Sequence, residues 1–80
     1  MLPLTLALLD ALAAAETPLS FDELWNRTKH TLQTEDVEGA REILALLQKD
    51  HYVLRSPDGS FRFRFGLIKR WWCLDRGLGS

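Results

Sequence analysis

Residues 52–65 change the periodicity of the chain, and this change constrains the fold more than any other sequence feature. In YVLRSPDGSFRFRF, two β-prone stretches flank the turn signature Pro-Asp-Gly. The second stretch alternates aromatic and basic residues with the period of a strand. It predicts a β-hairpin whose inner face covers a core with Phe61, Phe63 and Phe65. The same alternation places two arginines together on the outer face, Arg62 and Arg64.

The first helix is predicted from composition as well as from spacing. Pro3 suits a first helical turn, and residues 4–15 are rich in Leu and Ala, which favour helices. The inner stripe consists of Leu8, Leu9 and Leu12, with Leu4 or Leu6. Thr17-Pro18 ends this helix, because the residue before a proline avoids the α region.

A second helix is predicted to begin at Phe21, after a short extended link over residues 18–20. Ser20 followed three residues later by Glu23 is a capping box, in which each side chain satisfies a backbone N–H at the helix start. The inner face of this helix is predicted to contain Phe21, Leu24, Trp25 and Thr28.

A third helix is predicted from an N-cap at Thr34 to about Lys49. Its inner face comprises Val37, Ala40, Leu44 and Leu47, widened by Ile43 and Leu46. Gly39 weakens the first turns by about 1 kcal/mol relative to Ala, and we expect it to permit close approach of another helix.

After the hairpin, Gly66 ends the strand and a short helix is predicted over residues 67–76, closed by Gly77. Trp71 and Trp72 point about 100° apart on this helix, so a small core cannot bury both. We expect one to pack beside Phe63 and the other to contact another domain or subunit; the alternative is that both are half-buried around a single edge. Residues 77–80 are expected to form a frayed end.

The predicted order of elements is helix, strand, helix, helix, strand, strand, and then the final short helix. This α+β order is the topology of a winged helix-turn-helix, with a three-helix core, a β-hairpin wing and a short C-terminal helix. Residues 1–76 are predicted to form this single domain, with Asp58-Gly59 at the wing tip.

The run GSFRFRFGLIKRWW, residues 59–72, resembles the end of the winged-helix domain in prokaryotic AAA/STAND-type ATPases. There, the second wing strand reads like F/Y-R-F-R and precedes a helix with a Leu-Ile/Leu-x-Arg-x-Trp pattern. Phe65 and Gly66 depart from the family, in which His or Ser commonly follows F-R-F-R. The resemblance implies a module packed against the ATPase core of a larger chain, acting as a lid, a relay or an accessory DNA contact. This chain has no GxxxxGK[ST] motif.

The two parts of the chain carry net charges of opposite sign. Residues 1–50 contain four Lys/Arg and nine Asp/Glu, a net charge of −5, whereas residues 51–80 contain six and two, a net charge of +4. The first turns of the third helix are mostly acidic, which opposes an approach to DNA phosphates. The basic residues lie instead in the wing and the final helix.

These features predict a non-enzymatic protein-interaction or conformational-relay module of a larger ATPase. The predicted partner-binding residues are Arg62, Arg64, Lys69, Arg70, Trp71 and Trp72. The alternative is a DNA-binding winged helix that makes weak, non-specific phosphate contacts through Arg55, Arg62, Arg64, Lys69 and Arg70. Self-association through the final helix is a third class.

No constellation for catalysis, metal binding or a cofactor is found in the sequence. Cys73 is the only cysteine, which excludes an internal disulfide and favours a reducing, cytoplasmic location. His30 and His51 stand alone, and we expect them at the end of the second helix and in the turn before the wing. No apolar run approaches the roughly 20 residues that span a bilayer.

Overall fold

The order of elements predicted from the sequence is the order found in a computed structural model, which describes residues 2–78. Within residues 2–78, four helices and a three-stranded antiparallel sheet make an α+β domain. The elements are α1 (Leu2–Ala14), β1 (Leu19–Ser20), α2 (Phe21–Leu32), α3 (Val37–Lys49), β2 (Val53–Arg55), β3 (Ser60–Phe63) and α4 (Gly66–Arg76). The predicted extended link forms β1.

The sheet has the order β1-β3-β2, so the second strand of the hairpin lies in its centre. Leu19 of β1 pairs with Phe61, and Val53 of β2 pairs with Phe63. All four of these side chains are buried. The alternation of β3 therefore directs its two phenylalanines to the core, as predicted, and leaves Arg62 exposed on the other face.

Helix α1 is the centre of the core and contacts α2, α3, β3 and α4. It is apolar around most of its circumference, which is typical of a helix enclosed by other elements. Its buried residues include Leu4, Ala7, Leu8, Leu9, Leu12 and Ala13. The predicted inner stripe of α1 is thus confirmed, but the buried surface of this helix is wider than the stripe.

The capping box at the start of α2 is confirmed. The backbone N–H of Glu23 donates to Ser20 Oγ over 3.2 Å, and the backbone N–H of Ser20 donates to Glu23 Oε1 over 3.2 Å. These bonds satisfy two donors that a helix start leaves without partners. On the inner face of α2, Leu24 and Thr28 are buried, whereas Phe21 and Trp25 are half-buried.

The predicted start of α3 is wrong by two residues, because Asp36 and not Thr34 is the N-cap. Asp36 Oδ1 accepts the backbone N–H of Gly39 over 3.0 Å, while Thr34 Oγ1 accepts the N–H of Asp36. A Cβ atom at Gly39 would collide with the Asp36 carboxylate. The glycine therefore makes room for the cap and not, as predicted, for another helix.

Two apolar residues that were predicted to face the core are exposed. Phe65 is 55% exposed, because β3 ends at Phe63 and Phe65 becomes the N-cap of α4. Leu46 is 56% exposed. It follows Leu44 by two residues, about 200° around the helix, and therefore lies on the opposite side of α3.

The predicted end of α4 at Gly77 is confirmed, and the helix ends there in a Schellman motif. Gly77 has a φ of 66°, and the N–H of Leu78 donates to the Cys73 carbonyl over 2.9 Å. Leu78 is partly buried against the core. The first two residues of the expected frayed end are thus ordered by the motif, whereas residues 79–80 lie outside the described residues.

We expect Leu44→Ala and Leu46→Ala to differ strongly in their effect on stability, although both lie on α3. Leu44 is 2% exposed, so its truncation leaves a cavity and should lower the free energy of unfolding by about 2–4 kcal/mol. Leu46→Ala should change it by less than about 0.5 kcal/mol. Urea denaturation followed by far-ultraviolet circular dichroism measures both, and equal losses would contradict this assignment of the core.

Candidate functional site

Helix α4 is attached through polar contacts and through Trp72 and Cys73, which are partly buried against the core, and none of its residues is fully buried. Lys69 Nζ donates to the Ala15 carbonyl over 2.5 Å, and Cys73 Sγ lies 3.2 Å from the Ala13 carbonyl. The last carbonyls of a helix have no partner within that helix, so Cys73 meets one of these groups in α1, and Lys69 meets the carbonyl of the residue directly after it. The C-terminal end of α1 is therefore the docking platform of α4.

Asp10 on α1 is the second anchor of α4. Its Oδ1 accepts the indole N–H of Trp72 over 2.8 Å and the Nε–H of Arg76 over 3.0 Å. Arg76 Nη2 donates to Oδ2 over 2.9 Å, which completes a two-bond pairing of guanidinium and carboxylate. The hydrogen bond from Arg76 lowers the pKa of Asp10, with a further contribution from Trp72, although partial burial opposes the shift.

The two tryptophans of α4 have different environments, as the sequence predicts. The ring of Trp72 lies 6.4 Å from that of Phe63, centroid to centroid, and its N–H is bound to Asp10. Trp71 is 58% exposed. Trp72 therefore belongs to the attachment of α4, and Trp71 is the tryptophan left for an external contact.

The outward side of α4 is apolar. Leu67 is 76% exposed and Leu74 is 78% exposed, and together with Trp71 they follow the spacing i, i+4, i+7. We call these three residues the α4 stripe. Exposed apolar side chains that form a continuous row are typical of interaction sites. The charged side chains of Arg70 and Asp75 lie on either side of the row and are exposed.

An apolar groove of about 450 Å³ runs beside the α4 stripe. Buried side chains of Leu9, Leu47 and Phe63 are among its lining residues, and the exposed side chains of Tyr52 and Ile68 also line it. Trp71 belongs to both the groove and the stripe. The exposed apolar surface thus continues from α4 towards the start of the wing.

The basic residues predicted to bind a partner are not equivalent. Arg55, Arg62 and Arg64 are exposed, and the Arg64 guanidinium lies 5.2 Å from the ring centroid of Phe65. Lys69 and Arg70 line a second groove, of about 430 Å³, between α1 and α4. Within residues 2–78 the only ion pair joins Arg76 to Asp10, so the three wing arginines have no acidic partner there.

The structure therefore divides the predicted site residues into two groups. Lys69 and Trp72 are engaged in holding α4 on α1. The other predicted residues remain available at the surface: Arg55, Arg62, Arg64, Arg70 and Trp71. The sequence did not reveal the pairing of Asp10 with Arg76, because 66 positions separate the two residues. The spacing of Leu67 and Leu74 could be read from the sequence, but spacing alone does not show whether these side chains face the core or the solvent.

Within residues 2–78, no three His, Cys, Asp or Glu side chains are grouped so that they could hold a metal ion. None of the described helices has both the length and the apolar character needed to cross a membrane.

Comparison with known protein families, with curated proteins and with solved structures found no match to this chain.

We predict that Asp10→Ala lowers the free energy of unfolding by about 1 kcal/mol at pH 7, since it removes the charged partner of Arg76 and the acceptor of Trp72. The pKa of Asp10 is lowered in the folded protein, so its contribution is complete above the ordinary value of 3.8 and is lost as the pH falls through the lower folded value. The difference between wild type and variant should therefore shrink below about pH 4.

Urea denaturation at pH 7 and pH 3 measures this difference. Asp50→Ala is the matched control, because Asp50 is an exposed carboxylate in the turn after α3. A loss that is the same for both variants, or that persists unchanged at pH 3, would show that Asp10 does not anchor α4 through its charge.

Proposed function

We propose that this protein is a non-enzymatic winged-helix module that works as a protein-interaction or conformational-relay domain of a larger ATPase. The order of elements supports this proposal, since β1 joins the hairpin strands in one sheet directly after the α1–α3 core. The resemblance of residues 59–72 to the winged-helix domain of AAA/STAND-type ATPases supports it as well.

The observation that carries the proposal is the exposed α4 stripe. Leu67, Trp71 and Leu74 are each more than half exposed, although buried residues elsewhere form a complete core. Trp is enriched at the energetic centres of protein interfaces, whereas a free surface gains nothing from it. A protein-contact surface explains why these apolar side chains are exposed to solvent.

The attachment of α4 supports a relay role. No residue of α4 is fully buried, and the helix is held by a few hydrogen bonds and by the partly buried Trp72 and Cys73, so it can be displaced at lower cost than a core helix. Elements that move are drawn from such less stable parts of a fold. A partner on the α4 stripe would act on α1 through Lys69, Trp72 and Arg76. Since α1 contacts α2, α3 and β3, a displacement of α4 would reach the whole core.

The wing arginines complete the proposed contact surface. Arg62 and Arg64 are exposed, and an acidic surface of the ATPase core would pair with them. Such pairs set the orientation and rate of association more than its affinity. Binding of DNA in the major groove by α3 is disfavoured, because Glu38 and Glu42 are exposed on it and Arg41 stacks on Phe21 at 4.3 Å.

A photo-crosslinking residue in place of Arg62 tests the proposed partner in cells of the source organism. We expect a crosslink to a peptide of a P-loop ATPase core, in the same chain or in another, identified by mass spectrometry. The same residue at Asn26, an exposed position of α2, is the control and should give no such product. Crosslinks only to unrelated proteins or to nucleic acid would reject an ATPase partner at the wing.

The DNA-binding alternative draws its support from Arg55, Arg62 and Arg64, which are exposed and without acidic partners in residues 2–78. We expect no saturable binding of a labelled mixed-sequence duplex at physiological salt, measured by fluorescence anisotropy. Binding that weakens steeply with salt, and that Arg62→Ala/Arg64→Ala abolishes, would instead favour phosphate contacts by the wing.

A further inference from the structure

We infer that the α4 stripe pairs with the α4 stripe of a second copy of this chain, and that the two helices run parallel. The inference deepens the proposed function and rests on its premise that the outward side of α4 is a protein-contact surface. It assigns this side to self-association and leaves the wing for the ATPase core.

The spacing of the stripe is that of a short coiled-coil seam. Leu67, Trp71 and Leu74 occupy an arc of about 60° on the helix, at the positions d, a and d of a heptad. The opposite side of α4 is occupied by its attachment to α1 through Lys69, Trp72, Cys73 and Arg76. The seam therefore lies on the side of α4 opposite this attachment. Trp71 also lines the apolar groove, but all three side chains of the seam are more than half exposed and are open to another helix.

The charges that flank the seam determine the orientation of the pair. Arg70 lies about 40° beyond Leu74 on one side, and Asp75 lies about 40° beyond Trp71 on the other. These are the g and e positions of the same heptad, which form ion pairs between helices in coiled coils. Both side chains are exposed, and neither has an ion-pair partner within residues 2–78.

A parallel pair is complementary in charge, whereas an antiparallel pair is not. Two parallel helices related by a two-fold axis place the Arg70 side of one copy against the Asp75 side of the other, so two ion pairs of opposite charge form. An antiparallel pair places the Arg70 sides of the two helices against each other and the Asp75 sides against each other, so no ion pair of opposite charge forms. The sequence of α4 is thus self-complementary in one orientation only.

The cost of association is reduced because α4 is already folded. An isolated helix of 11 residues is marginal in water, and its formation would oppose pairing. Here the bonds to Asp10, Ala13 and Ala15 hold the helix on α1 before any partner arrives. The seam is short, so we expect reversible association with a dissociation constant between about 1 µM and 1 mM.

Sedimentation equilibrium of the 80-residue chain from about 10 µM to about 1 mM tests the inference in the range of weak association. We expect the mass to rise from monomer to dimer with concentration. Leu67→Glu/Leu74→Glu should remain monomeric, and its unfolding transition should stay unchanged, since both leucines are exposed. A wild-type chain that is monomeric at every concentration would overturn the inference.

Charge reversal tests the parallel orientation. Arg70→Glu or Asp75→Arg alone should weaken dimerisation about tenfold, because both ion pairs become repulsive. The double variant Arg70→Glu/Asp75→Arg restores opposite charges across a parallel interface and should return the dissociation constant to within about threefold of wild type. Dimerisation that is insensitive to the single reversals would overturn the parallel arrangement.

The outcome is separable from that of the proposed function. If the chain stays monomeric while Arg62 crosslinks to an ATPase core, the self-association fails and the interaction module remains. If the chain dimerises while Arg62 finds no ATPase, the pairing of α4 remains and the ATPase partner is wrong.

Discussion

The burial of helix α1 is the constraint on which the rest of the structure depends. Four other elements pack on it, and its leucines Leu8 and Leu12 are almost completely excluded from solvent. In a chain of 80 residues, one helix enclosed on most sides is an effective way to build a core, because most of its apolar residues are covered by neighbouring elements. Helices α2 and α3 and the sheet are thereby fixed relative to one another through a common partner. The last helix joins the same platform, but by different chemistry.

Helix α4 is held by the C-terminal half of α1 and by the residue directly after it. The carboxylate of Asp10 accepts hydrogen bonds from an indole and a guanidinium, and the carbonyls of Ala13 and Ala15 are met by Cys73 and Lys69. These bonds fix the direction of α4, and only Trp72 and Cys73 of this helix are partly buried against the core, so α4 is well oriented but held less firmly than a core helix. This combination suits a surface element that receives a partner, since the partner meets a formed helix and the bonds beneath it register a displacement. The apolar area that α4 does not use internally is available for recognition.

Signals between residues close in sequence predicted the helices and strands well, whereas contacts between residues far apart in sequence could not be predicted. The capping box at Ser20 and the turn at Asp58-Gly59 are encoded within a few residues, and both were located from the sequence. Phe65 and Leu46 were wrongly predicted to face the core. An alternating pattern does not show where a strand ends, and a helical pattern does not show how wide the buried face of the helix is. The same limit applies to the site. The adjacency of Trp71 and Trp72 showed that one of them would be exposed but not which one, and the role of Asp10 depends on a contact that only the folded chain creates.

The arrangement of the sheet has a consequence for aggregation. Strand β3 has a neighbour on both sides, and the two edge strands, β1 and β2, are only two and three residues long. An edge that short offers too few free N–H and C=O groups to template a further strand from another molecule. The protein can therefore expose an apolar helix without also offering an edge for uncontrolled β-pairing.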